Sequence, residues 1–135
     1  MTKPSYRTIA EPCEGVYKEK GSKFLAFAFP VADEADIKEH LNRLKKKYHD
    51  ARHHCYAYIL KDESAYRVND NGEPSGTAGL PIYGQLRSKN LSYVLIVVVR
   101  YFGGKKLGVG GLRQAYKTAA AAALENAIVI EKEFS

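Results

Sequence analysis

The unbroken apolar run at residues 94–99, VLIVVV, followed by the glycine-rich segment RYFGGKKLGVGGL at 100–112, constrains the fold more than any other feature of this chain. Even counting Tyr93, the run is far shorter than the roughly 20 apolar residues that cross a bilayer. It is rich in β-branched side chains and has no polar alternation, so residues 92–102 read as a central, buried strand. The five glycines that follow, with Arg100, Lys105 and Lys106 among them, mark a hard turn. Beyond them Leu112, Tyr116, Ala119, Ala120, Ala123 and Leu124 form the packing face of a helix at 112–126, whose small residues let it lie close to a sheet.

Earlier in the chain, residues 16–19 and 23–31 are β-prone runs joined through Lys20-Gly21-Ser22, a turn signal. Ile37, Leu41, Leu44 and Tyr48 then recur at helical spacing as a single apolar stripe. Asp33 is placed to cap that helix, and Lys45, Lys46 and Lys47 in its last turn complement the macrodipole as a solvated helix end. Residues 53–60, HHCYAYIL, alternate Cys55, Ala57 and Ile59 with His54, Tyr56, Tyr58 and Leu60. That is a strand with one small apolar face and one aromatic face carrying polar tips. A strand at 64–68, a turn at 69–72, a helix within 74–88 and a last strand at 127–130 complete the reading. For the 74–88 helix, Ser75 or Thr77 is the expected cap, and Leu80, Tyr83 or Gly84 and Leu86 the packing face. The order of elements predicts an α+β fold: a mostly antiparallel sheet with helices packed on one face, the other face open to water or a ligand. A chain of 135 residues is expected to form one domain, 1–135, around one core.

Charge narrows the function. The net charge is +6 and the isoelectric point about 9.3. Residues 74–124 hold no acidic residue and seven basic ones, Arg87, Lys89, Arg100, Lys105, Lys106, Arg113 and Lys117; the remainder holds 14 basic against 15 acidic residues. All the excess basicity lies in one segment, the footprint expected for an anionic partner. No secretory signal is visible, and two cysteines make neither a disulfide framework nor a zinc ribbon, so the cytoplasm is the expected location and no membrane partner is expected.

The glycine segment fails the named phosphate motifs. Gly103 and Gly108 have Walker spacing, but Val109 occupies the lysine position; a dinucleotide fingerprint starting at Gly108 and Gly110 meets Arg113 in place of its third glycine. What remains is a helix start near Gly110, with Gly108 and Gly111 beside it, whose free N–H groups and dipole favour an anion flanked by Lys105, Lys106 and Arg113. A second glycine-bearing segment, DNGEPSGTAG at 70–79, offers Ser75 and Thr77 as caps or phosphate ligands, while Asp70 and Glu73 read as turn and capping residues. Strand alternation separates His53 and Cys55 from His54, which disfavours zinc and a Cys-His dyad and leaves Cys55 as a small buried hydrophobe. No metal and no cofactor are expected.

These residues resemble the N-terminal domain of the Impact/YigZ family. The resemblance is carried by Asp70-x-Gly72-Glu73-Pro74-x-Gly76-Thr77-Ala78-Gly79, by Val97-Val98-Val99-Arg100-Tyr101-Phe102-Gly103-Gly104 and by Leu107-Gly108-x-Gly110-Gly111-Leu112-x-x-Ala115-Tyr116, with Gly21 to Phe24 and His53 to Tyr58 in support. Asn71, where an aspartate is usual, and Arg113 with Gln114, where apolar residues are usual, depart from it. The resemblance implies a fold like the second domain of ribosomal protein S-five. It also implies a kinship with eukaryotic regulators of translation, and a small ferredoxin-like C-terminal domain in longer bacterial relatives that this sequence does not reach. The expected function is a non-catalytic module that binds RNA or a ribosome-associated protein, without DNA specificity, and modulates translation or a stress response. Its expected contacts are Arg100, Lys105, Lys106, Gly108, Gly110, Gly111 and Arg113, then Ser75 and Thr77, and finally Tyr56, Tyr58 and His54, whose rings could stack on or hydrogen-bond to bases. The alternative is an enzyme that binds a phosphorylated small molecule at the glycine-rich helix starts and uses His54 or Asp70 for proton transfer.

Overall fold

A computed structural model describes residues 4–134. Strands β1 (Ser5–Ile9), β2 (Cys13–Glu19) and β3 (Ser22–Pro30) lead into helix α1 (Glu34–Lys47). Strands β4 (His53–Ile59) and β5 (Tyr66–Asn69) precede α2 (Gly79–Ser88), then β6 (Val94–Tyr101), α3 (Gly108–Glu125) and β7 (Val129–Glu133). Five strands form one sheet in the order β2-β3-β6-β4-β5, every pair antiparallel, and β1 pairs with β7 as a separate ribbon. The expected α+β class and antiparallel sheet are both present.

The layering differs from the expectation of helices on one face. Alternate residues of β6 point to opposite sides, and both sides are covered. Ile96 and Val98, with Phe24, Ala26, Cys55 and Ala57, pack under α2 and α3 through Ile82, Leu86, Tyr116, Ala119 and Ala123. Leu95, Val97 and Val99, with Phe29 and Tyr58, pack under α1 through Ile37, Leu41 and Leu44. A strand that is apolar at every position cannot leave one face wet, because each exposed Val or Leu forfeits about 1.5–3 kcal/mol of burial.

Helix α1 forms as its sequence dictates. Asp33 Oδ1 accepts from the Asp36 N–H at 2.9 Å, and the stripe Ile37, Leu41, Leu44 is buried. Helix α3 lies against β2 closely enough that a Cβ on Gly15 would stand 2.5 Å from the Ala123 nitrogen, so the alanine run and that one glycine match each other. Helix α2 corrects the reading at 74–88: it starts only at Gly79, neither Ser75 nor Thr77 caps it, and Leu80 is exposed while Gly79, Ile82 and Leu86 are buried. Strand β1 gave no sequence signal. It exists because its partner β7, shifted from 127–130 to Val129–Glu133, pairs with it in register, while Ile9 joins the core under α2 and α3.

Candidate functional site

The sheet's α2–α3 side ends in a buried polar network built from five distant parts of the chain. Arg100, the last residue of β6 on that side, has 5% of its side chain exposed, and Glu73 has 4%. Arg100 Nη1 donates to Glu73 Oε2 at 2.7 Å and Nη2 to Ser22 Oγ at 3.2 Å, while Nε has no hydrogen-bond partner. Tyr116 of α3 donates its hydroxyl to Glu73 Oε2 at 2.5 Å, and His53 Nε2 stands 3.4 Å from Glu73 Oε1. The other ring nitrogen, His53 Nδ1, lies 2.8 Å from the Asn71 carbonyl, which can only accept, so Nδ1 carries a proton. Burial, then Cys55 and Glu73, push the Tyr116 hydroxyl above the ordinary phenol range. Burial likewise pushes the Cys55 thiol up to about 12, with its Sγ at 3.1 Å from the Asp70 carbonyl. A thiol so held stays protonated and is no nucleophile.

Above this network opens a cleft of ≈ 360 Å³ whose walls include Arg52, His53, Phe102, Lys106 and Leu107, with Glu73 and Arg100 below. The start of α3, from Gly108, forms one side, with no side-chain cap and no acidic residue in its first turn. Three cations and one carboxylate therefore line it, beside the positive end of a long helix. Two other hollows are larger, ≈ 480 Å³ beside Tyr6, Tyr93 and Phe134 and ≈ 810 Å³ along the outer side of α1, but neither has a buried charged side chain on its floor. The chemistry is concentrated in the cleft.

The loop that brings Glu73 here is held by Asp70. Its Oδ2 accepts from the Gly76 N–H at 2.9 Å, and Oδ1 from those of Ala78 and Gly79 at 3.1 and 2.8 Å, so this one carboxylate caps α2 in place of Ser75 and Thr77. Burial raises the Asp70 pKa, and the three N–H bonds outweigh it and leave the carboxyl below its ordinary value. A depressed carboxylate contributes stability that is full above its unfolded pKa, near 4, and is lost as pH falls through the lower folded value. Asp70→Ala is expected to cost roughly 1–2 kcal/mol at neutral pH, as a lost cap does. It should also flatten the fall of melting temperature below about pH 4, where wild type loses the same contribution. Thermal melts followed by circular dichroism across that range check both.

Comparison with known proteins gives this arrangement a family. The family model described as the Impact N-terminal domain matches residues 20–124, a span that encloses Ser22, His53, Glu73, Arg100 and Tyr116. The chain belongs to the Impact N-terminal domain family. It is 37% identical over 130 residues to the IMPACT family member YvyE of Bacillus subtilis, covering 96% of this chain and 60% of that one. It is 36% identical over 115 residues to YigZ of Escherichia coli, covering 83% and 56%. A crystal structure of a hypothetical protein superposes with a TM-score of 0.91 at 33% identity, over 98% of this chain and 66% of that one. The chain thus spans less than two thirds of each of these relatives.

Within this Impact domain the residues singled out in the sequence separate into groups. Lys106 and Gly108 line the cleft, Gly110 and Gly111 sit in the first turn of α3, and Lys105 and Arg113 are exposed nearby in sequence. Arg100 lies beneath the cleft, committed to Glu73 and Ser22. Thr77 is buried and donates to the Pro74 carbonyl at 2.6 Å, while Ser75 is exposed. Tyr56, Tyr58 and His54 are on the α1 side of the sheet; Tyr58 is buried, and His54 Nε2 is 2.8 Å from the Tyr48 carbonyl at the end of α1. The two groups considered for proton transfer, His54 and Asp70, are both engaged with backbone away from the cleft floor. The residues not foreseen are His53, Glu73 as an ion-pair partner, Ser22 and Tyr116.

Proposed function

We propose that this Impact domain binds RNA at the cleft beside the start of α3 and acts as a non-catalytic module in the control of translation. The observation that carries this reading is the electrostatic build of the cleft. Arg52, Arg100 and Lys106 face a single carboxylate already bound by Arg100 and Tyr116, at the uncapped start of an 18-residue helix inside a segment free of acidic residues. Phe102, 38% exposed and with the Arg52 guanidinium 4.8 Å above its ring, offers a surface on which a base can stack. The translational role and a cytoplasmic setting belong to this proposal and are what the family resemblance implies. Among the described residues no helix is long and apolar enough to cross a membrane.

Fluorescence anisotropy with labelled single-stranded and hairpin RNA tests the proposal. Affinity is expected to fall steeply with salt and to drop at least about tenfold in Lys105→Glu with Lys106→Glu, with a shallower salt dependence. Binding indifferent to both would overturn it. The cleft volume also falls within the range of small-ligand sites, which favours a phosphorylated metabolite as the second reading. A thermal-shift screen with nucleotides and sugar phosphates separates the two, because a ligand of the folded state must raise the melting temperature.

A further inference from the structure

On the opposite side of the sheet, α1 and the β4–β5 edge enclose a groove of ≈ 330 Å³ lined by Glu34, Lys38, Lys45, Tyr56, Tyr58 and Arg67. Lys38, Asn42 and Lys45 fall at i, i+4 and i+7, on one face of α1 above the buried stripe. Lys38, Lys45 and Arg67 are exposed, and among the described residues none of the three has an ion-pair partner. Arg67 stands opposite Tyr58 in the β4–β5 ladder. The Tyr56 and Tyr58 rings stand nearly parallel, 4° apart in plane with centroids 6.5 Å apart, and Tyr56 is half-buried. The hollow along the outer side of α1 shares Asn42 and Lys45 with this groove and adds Arg43 and Lys46. From Lys38 to Lys46 the helix rises about 12 Å, so the cations form a track rather than a point.

We propose that this groove is a second contact for single-stranded RNA, in which Lys38, Lys45 and Arg67 pair with phosphates along one strand and Tyr56 presents its ring to a base. The inference rests on the RNA reading of the Impact domain but uses none of the cleft residues. Charge complementarity commits the groove to a polyanion: three unpaired cations face one carboxylate, and a lone small anion would need only one end of the track. The tyrosine wall favours a nucleic acid over an acidic peptide, because a base has a π-face and a carboxylate side chain has none. The cations of α1 thus do more than complement its macrodipole.

Anisotropy with a short labelled oligouridine, across a salt titration, tests this on the full chain. Lys38→Glu/Lys45→Glu/Arg67→Glu is expected to weaken binding at least about tenfold and to reduce the salt slope by about 2, at roughly 0.7 per single-strand phosphate lost. Lys38→Gln/Lys45→Gln/Arg67→Gln, which adds no negative charge near Glu34, should lower the slope in the same direction, and circular dichroism confirms that both variants fold. Tyr56→Leu should weaken binding while leaving the slope unchanged. A loss in the groove variants with none in Lys105→Glu/Lys106→Glu keeps the groove and overturns the cleft. A loss in the cleft pair alone overturns the groove and keeps the cleft. Polyglutamate competing as well as oligouridine for the groove, with Tyr56→Leu without effect, would reassign it to an acidic protein segment and overturn the RNA proposal.

Discussion

Arg100→Met is expected to lower the free energy of unfolding by about 3 kcal/mol, the low end of the range for breaking a buried ion pair. The loss arises because Glu73, with 4% of its side chain exposed, would lose its guanidinium partner in a dry site with only the Tyr116 hydroxyl and His53 near it. The guanidinium also lies over two rings, 5.5 Å from the Phe24 centroid and 5.6 Å from that of Phe102, so packing is lost along with charge. One term opposes these: Arg100 Nε is buried with no partner, and methionine removes that penalty, which is why the low end is chosen. Adding Glu73→Leu to Arg100→Met should restore most of the stability, since replacing both members of a buried pair is often neutral. Urea unfolding followed by circular dichroism reads both variants. A single substitution costing under about 1 kcal/mol would mean that the pair does not hold the cleft floor.

Gly103→Ala should cost roughly 3 kcal/mol, at the upper end for overpacking. A Cβ there would stand 2.0 Å from the Gly21 carbonyl carbon and 2.4 Å from the Ser22 nitrogen, and both are backbone atoms with no rotamer to move aside. Either the β2–β3 turn or the segment after β6 must shift. Ser22 Oγ accepts from both the Gly103 N–H and Arg100 Nη2, so the strain passes straight into the network under the cleft. The first measurement is the urea midpoint, expected to fall with an unchanged slope. Gly104→Ala is the comparison: it faces open space at its Cβ but has φ of +89°, so it should cost about 1–2 kcal/mol from backbone strain alone. Equal losses at the two positions would contradict the close-approach account.

What the sequence made legible was local. The stripe, cap and basic last turn of α1 lie within 16 consecutive residues, 33–48, and all of them describe the same helix in the structure. The run in β6 declared its strand, and its lack of alternation also implied a second covered face, which the expectation of helices on one side overlooked. At the site, Lys106 and the glycines of α3 were visible because they adjoin one another in the chain. Glu73, Ser22, His53 and Tyr116 were not: the antiparallel pairing of β3, β6 and β4 brings Ser22 and His53 to Arg100, while the loop held by Asp70 delivers Glu73 and the packing of α3 delivers Tyr116. One signal was available. Arg100 continues the parity of Ile96 and Val98, which points a guanidinium into the core and demands a buried carboxylate partner. The same parity on β4 favours His53, which shares a side with Cys55, over His54. Asp70 was legible as a turn residue, but its bond to the Gly79 N–H, nine residues onward, belongs to a loop whose closure no local pattern announces.

The claim that the start of α3 and its cleft receive RNA is tested most directly by titrating a short single-stranded RNA into the isotopically labelled protein and following backbone amide shifts. The account predicts that the largest perturbations fall on Leu107 to Gly111 and on Arg52, His53 and Phe102, and that they vanish in Lys105→Glu/Lys106→Glu. Perturbations that spare all of these amides at saturating RNA would contradict it.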